Sequence, residues 1–268
     1  MGTTVTIDIR APFVAPGALD AAVAWFHDVD RRFSPYREDS QVTLVGTGAL
    51  AFEDADPEVR AMFTLADLVR DRTDGFFDPR GFRADGRRDP TGVVKGWAVD
   101  EAVAALRLAG ARNAQVIAGG DLVAIGEPEP GRAWRIGIRH PDLPGDTAAI
   151  LAIRDLAVAT SGLYERGGHI VDPHTGAVPG GLRSLTVVGP TLAFADAYAT
   201  AGFAMGEPGI AWVGREPGFG ALGITAAGRV ARTTIVDRLL VPSLSGASQA
   251  GALDSDPVDP ARPMEPTP

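Results

Sequence analysis

Apolar residues recur along this chain with two periods, and the change of period marks its elements. Val5, Ile7 and Ile9 alternate with polar neighbours, the pattern of a strand with one face buried. Leu19, Ala22, Val23, Phe26, Val29 and Phe33 recur every three or four positions, which predicts a helix. Asp56-Pro57-Glu58 is a helix start, with a capping residue and then proline in the first turn; Val59, Met62, Phe63, Ala66 and Val69 continue it towards Gly75. A third helix is expected from about Val94 to Ala109, closed by Gly110. Short β-like runs follow: AQVIA, WRIGIR, ILAIR, LAVAT and SLTVV. The helix LAFADAYATAGFAM comes next, then ALGITA and RVARTTIV. Strands come mostly in neighbouring pairs without strict strand–helix alternation, so the expected class is α+β.

Between Ser184 and Gly206 the only charged residue is Asp196. That stretch is long enough to be mistaken for a membrane span, but Gly189-Pro190 splits it into a strand and a helix. A lone ionised carboxylate in apolar surroundings costs several kcal/mol unless something pairs with it. Asp196 and Thr200 lie four apart and face one way. They fit either a hard-oxygen pair for Mg2+ or Ca2+ or an aspartate satisfied locally by a hydroxyl or N–H.

Composition adds boundaries. The 268 residues suit one large domain, expected over residues 1–241. The segment 242–268 is rich in Pro and Asp and is expected to be disordered. No tandem repeat is visible. The formal net charge is −9, which repels phosphate backbones, so no nucleic-acid partner is expected. There is no cysteine, which excludes disulfides, thiolate metal sites and thiol catalysis. The opening MGTTVTIDIR lacks the basic and apolar regions of a signal peptide or lipobox. The expectation is a cytoplasmic protein with no transmembrane segment, or an extracytoplasmic one if a leader was removed.

Several short motifs could carry chemistry. VGTGALA, with Gly46 to Ala51 in a G-x-G-x-x-A pattern after a β-like run, fits a hairpin better than a dinucleotide turn, since no helix is expected there. In IAGGDL, Gly119 and Gly120 follow a strand and suit either a plain turn or an anion-binding nest. DPTGVVKG, residues 89–96, places Lys95 near a helix start, as a phosphate ligand or a solvated side chain. GGHIVDPHTG holds His169 and His174 around Asp172, and Pro173 rules out a helical metal pair. DPHTG reads as a turn in which Asp172 bonds the backbone two residues on, leaving one histidine for acid–base work. Ser161 in TSG lacks a nucleophile-elbow frame and suits ligand contact or capping.

Taken in order, MGT, SPYREDSQV, GFFDP, DPTGVVKGWAVD, NAQVIAGGDLVAIG, ATSGLYER, HIVDPHTG and SLTVVGPTLAFADAYATAGFAMG resemble the ApbE family of FAD:protein FMN transferases, from Met1 to about Gly206. The family includes proteins once described as thiamine-biosynthesis lipoproteins. The resemblance implies mixed or antiparallel sheets packed with helices, and FAD in a cleft between two subregions. It implies Mg2+-dependent transfer of the FMN half of FAD to a Thr or Ser hydroxyl of an acceptor protein, with release of AMP. Acceptors in the family are FMN-carrying redox subunits, such as those of sodium-pumping quinone reductases. The implied metal ligands are Asp196, Thr200 and the Gly92 carbonyl. Lys95 and Asp89 would contact FAD, and the Gly119-Gly120-Asp121 turn would approach it through its backbone. Met1, Tyr36, Phe76, Phe77, Asp78 and Ser161 would line the flavin or adenine portion. His169 and Ile170 match the segment nearest the reacting phosphate, with His169 deprotonating or orienting the acceptor hydroxyl. An FAD pyrophosphatase giving FMN and AMP, and a non-catalytic FAD-binding accessory protein, stay open as alternatives. Two departures from the family pattern, Thr91 and Trp97, look tolerable. Arg80, Arg83, Arg87, Arg88 and Arg72 fit either attraction of FAD or a solvated loop.

Overall fold

In the middle of the main sheet both faces of each strand are buried, and alternate residues enter two different cores. The computed structural model describes residues 2–81, 85–162 and 170–242, and the backbone of 255–257. The elements are β1 (Val5–Ile9), α1 (Ala18–Phe33), α2 (Gln41–Thr47), α3 (Pro57–Arg72), α4 (Thr91–Leu108), β2 (Ala114–Ala118), β3 (Asp121–Ile125), β4 (Trp134–Arg139), β5 (Thr147–Ile153), β6 (Leu156–Gly162), β7 (Leu182–Gly189), α5 (Leu192–Ala204), α6 (Pro208–Arg215), β8 (Gly220–Thr225), β9 (Val230–Arg232), α7 (Thr234–Leu239) and β10 (Ser255–Pro257).

One sheet runs β1-β2-β3-β6-β7-β8-β9-β10, and β4 pairs with β5 as a separate ribbon. Pairing is antiparallel throughout except between β9 and β10. Val123, Ile125, Ala157, Ala159, Leu185, Val187 and Ala221 point into the larger core, shared with the apolar faces of α1, α3, α4 and α5. Their neighbours Leu122, Ala124, Val158, Val188, Leu222 and Ile224 point the other way, against Trp134, Ile138, Leu151 and Ile153 of the β4–β5 ribbon and Val236 of α7. This two-sided burial makes the strand runs nearly continuous in apolar residues. The α+β expectation holds. Among the described residues no helix is long and apolar enough to cross a membrane.

Local chemistry accounts for the ends of the helices. Helix α3 begins with Pro57 at its first position, as expected. Helix α4 starts at Thr91, three residues earlier than expected: Pro90 stands at its cap position, and the Asp89 carboxylate accepts the Thr91 N–H at 2.9 Å in a turn that leads into the helix. Two β-like readings are overturned. Residues 41–47 form α2: the Ser40 side chain accepts the Thr43 N–H at 3.1 Å, and Gly48 closes the helix at φ 77°. VGTGALA is therefore a helix end and neither a hairpin nor a nucleotide turn. The second half of RVARTTIV is helical, in α7. Helix α6 has no counterpart among the expected elements. Of the segment expected to be disordered, Ser255–Pro257 pair with Val230–Arg232; its other residues beyond 242 lie outside the described ones.

Candidate functional site

Helices α4 and α5 meet backbone to backbone, and Gly96 makes this possible. A Cβ at Gly96 would stand 2.5 Å from the Leu192 carbonyl oxygen and 2.6 Å from the Ala193 Cα. The neighbouring Lys95 sends its ammonium across the contact. Its Nζ donates to the Asp121 carboxylate and lies 3.3 Å from Asp196 Oδ2. Burial works against the charged amine, but the carboxylates of Asp196 and Asp121 outweigh it and hold the Lys95 pKa above the ordinary lysine value. Lys95 is the only lysine in the chain; every other cationic side chain of this type is arginine.

Asp121 enters from the β2–β3 hairpin. Gly119 and Gly120 form its two-residue turn, with φ 60° and 95°, as a hairpin of this hand requires. Both glycines are exposed, whereas Asp121 is 3% exposed. Its second oxygen accepts the Thr160 N–H at 2.9 Å, which ties it to β6. The next residue, Ser161, is buried and its Oγ lies 3.4 Å from Thr200 Oγ1 on α5. Thus Lys95, Asp121, Ser161, Asp196 and Thr200 converge from four elements. Asp196 and Thr200 lie one turn apart on the half-buried side of α5. Gly92 is half-buried in the first turn of α4, and Asp89 is buried just ahead of that helix, its carboxylate on the Thr91 N–H.

A second group gathers at the end of α3. His174 Nε2 lies 2.9 Å from the Asp74 carbonyl oxygen, and its ring packs on Phe76 with centroids 4.5 Å apart. Asp172 accepts the His174 N–H at 2.9 Å and the Thr175 hydroxyl at 2.9 Å. Burial raises the Asp172 pKa, but these bonds and the His174 ring outweigh it and hold the carboxyl below its usual range. His174 is therefore a latch between two turns, and Asp172 bonds the backbone as its sequence predicts. A cavity of about 330 Å³ opens here, lined by Arg70, Asp71, Asp74, Asp78, Pro173 and His174 among others; the Lys95 cluster does not line it. Phe77 is buried in the larger core, with its N–H donated to Thr73 Oγ1 at 3.1 Å. Ile170 is buried in the same core, and Tyr36 is 92% exposed between α1 and α2. Met1, Arg83 and His169 lie outside the described residues.

The sequence model of the ApbE family matches residues 1–81 and 83–222. The chain belongs to the ApbE family. Among curated relatives, FAD:protein FMN transferase of Haemophilus influenzae is 33% identical over 130 residues, covering 44% of this chain and 38% of the relative. The Treponema pallidum protein of the same name is 35% identical over 169 residues, covering 56% and 47%. The aligned stretch is thus less than half the length of each relative. Two solved structures share the fold: the ApbE protein of Thermotoga maritima (TM-score 0.77, 24% identity, 90% of this chain and 97% of that one) and the flavin transferase ApbE of Vibrio cholerae (TM-score 0.75, 22% identity, 90% and 96%).

Within this ApbE fold the donor set suits a hard cation. Asp196, Thr200 and a backbone carbonyl are all oxygen donors. Among the described residues no group of three or more His, Asp or Glu is set to chelate a metal alone. The arginines divide differently: Arg72 pairs with Glu216 at 2.8 Å, and Arg88 pairs with Asp67 while lying 5.1 Å from the centre of the Phe63 ring. These two are structural. Trp97 is accommodated edge-on against Trp25, with ring centroids 5.2 Å apart.

Sequence reasoning missed Asp100. This α4 side chain accepts the Leu192 N–H at 2.8 Å on one oxygen and the Ala193 N–H at 2.9 Å on the other. Burial pushes its pKa up to about 6, so at neutral pH it is ionised and both oxygens accept. No local signal in the sequence points to it; Thr191 stands at the cap position of α5, yet among the described residues its buried Oγ1 has no hydrogen-bond partner.

Replacing Lys95 by methionine is expected to lower stability by about 2–3 kcal/mol, below the range for breaking a fully buried pair because the Lys95 side chain is a quarter exposed while Asp121 is buried. Lys95→Arg should not restore it, since a planar guanidinium does not replace a compact ammonium between two carboxylates. Urea unfolding of the two variants checks both statements.

Proposed function

We propose that this chain moves the FMN half of FAD onto a Thr or Ser hydroxyl of an acceptor flavoprotein in the presence of Mg2+, releasing AMP. The observation that carries this reading is the convergence of Lys95, Asp121, Ser161, Asp196 and Thr200 in a chain of the ApbE family. Relatives of about one-third identity bear the name of that activity. In the reaction the acceptor oxygen bonds to the FMN phosphorus and the bond from phosphorus to the bridging oxygen breaks. The hydroxyl proton passes to a base, and AMP leaves with the bridging oxygen.

Such a transfer is mostly positioning and charge neutralisation. Asp196, Thr200 and the Gly92 carbonyl would hold Mg2+, which supplies positive charge against the pyrophosphate. Lys95 adds fixed charge beside the same phosphates, and Asp121 keeps it aimed. Ser161 orients the Thr200 hydroxyl. The Gly119–Gly120 turn lets a phosphate or ribose approach the backbone, and Asp89 contacts the cofactor from the start of α4. Met1, Tyr36, Phe76 and Asp78 would line the flavin or adenine portion, with Phe77 behind them in the core. His169, beside Ile170, receives or orients the acceptor's proton.

The test incubates the protein with FAD, Mg2+ and a flavoprotein acceptor, and separates FAD, FMN, AMP and labelled acceptor by chromatography. The expected result is AMP in step with fluorescent acceptor. AMP and free FMN without labelled acceptor would make the chain an FAD pyrophosphatase. FAD binding without AMP would make it an accessory protein.

A further inference from the structure

Gly92, Gly96 and Asp100 recur every four residues, so they form one stripe along α4. Gly96 touches the backbone of Leu192 and Ala193, and Asp100 accepts the N–H groups of the same two residues. Gly96 and Asp100 of the stripe therefore face the first turn of α5. On α5, Ala193, Asp196 and Thr200 share a face by the same spacing. The residue that grips the first turn of α5 thus lies on the same two surfaces as the groups that meet between the helices.

An ordinary helix cap is local: a side chain immediately before the helix accepts its first N–H groups. Here Thr191, at the cap position, has no hydroxyl partner among the described residues, and the acceptor comes from another helix 92 positions earlier. Its two oxygens take two successive N–H groups, which fixes α5 in both rotation and axial position relative to α4. Removing that grip frees α5 to slide or turn about the Gly96 contact, and any such motion changes how Asp196 and Thr200 face Gly92 and Lys95.

We propose that Asp100 is a positioning residue: it sets the geometry of the cation site between α4 and α5 by holding the first turn of the helix that carries Asp196 and Thr200. The proposal rests on the reading of that site as a divalent-cation site.

The experiment compares the wild-type chain with Asp100→Ala, Asp100→Asn and Val236→Ala. Val236 lies fully buried in the core on the far side of the sheet, so its variant controls for lost stability alone. Binding of Mn2+, as a paramagnetic probe for Mg2+, is titrated by EPR at pH 8 with FAD present, well below the melting temperature of each variant. Amide hydrogen exchange is measured at Leu192 and Ala193. Asp100→Ala should weaken Mn2+ binding roughly tenfold, at the low end for outer-shell partners of metal ligands. It should also speed exchange at both amides. Asp100→Asn keeps one acceptor oxygen and should fall between wild type and alanine, and it serves alone if the alanine variant does not fold. Val236→Ala should bind Mn2+ like wild type. If the Asp100 variants bind Mn2+ as tightly as Val236→Ala, the proposal is overturned and the cation site stands. If wild type itself binds no Mn2+, the reading of the site fails and takes the proposal with it.

Discussion

Asp196→Ala is expected to lower the rate of FMN transfer at saturating FAD and Mg2+ on the order of 10³-fold while the protein stays folded. A metal acting on a phosphoryl group is worth several kcal/mol of transition-state stabilisation, and each 1.36 kcal/mol is a factor of about ten. The fold should survive because Lys95 keeps Asp121 as a partner, and because Asp196 is on the half-buried side of α5 and not among its core residues. Asp196→Asn should fall nearly as far, since the amide keeps the shape but not the charge. AMP release followed by chromatography, with circular dichroism as the check on folding, decides the matter. Wild-type turnover in the alanine variant would remove Asp196 from the metal site.

The second large effect is one of packing. Gly96→Ala is expected to destabilise the chain by about 2–3 kcal/mol, the upper part of the range for overpacking. The atoms a new methyl group would meet belong to the backbone of Leu192 and Ala193, which cannot rotate away as a side chain can. The helices must separate, and Lys95 and Gly92 move away from Asp196 and Thr200 with them. Transfer activity should therefore fall even where the variant is fully folded. Gly46→Ala is the control: that glycine is also helical, and its nearest neighbour is an Arg87 side-chain carbon at 3.7 Å. It should leave activity intact and raise stability by about 0.5–1 kcal/mol, because alanine suits a helix better than glycine. Equal melting curves for the Gly96 and Gly46 variants would contradict this picture.

Much of this was legible in the sequence because its causes are local. Asp56-Pro57 announces α3, the two-residue period announces β1, and the paired glycines announce the β2–β3 turn. Asp196 and Thr200 could be paired from helical spacing alone. Helix α2 was misread because Val42, Thr43, Val45 and Thr47 favour a strand by intrinsic propensity. The cap made by Ser40 and the stop made by Gly48 outweigh that preference. What could not be read were contacts between distant segments. The Lys95–Asp121 pair spans 26 positions, the Ser161–Thr200 contact 39, and the Asp100–Leu192 bond 92. No periodicity carries such information.

That Lys95 is the chain's single lysine has a practical consequence. Apart from the terminal amine, the protein offers amine-selective acylating reagents one target, and it stands where α4 meets α5. Held between Asp121 and Asp196, with its pKa above the ordinary lysine value, that amine acylates more slowly than a free lysine amine. Any event that parts the two helices returns it to ordinary lysine reactivity at a known address, so the chain carries a built-in chemical reporter that mass spectrometry can read as a single acylated residue.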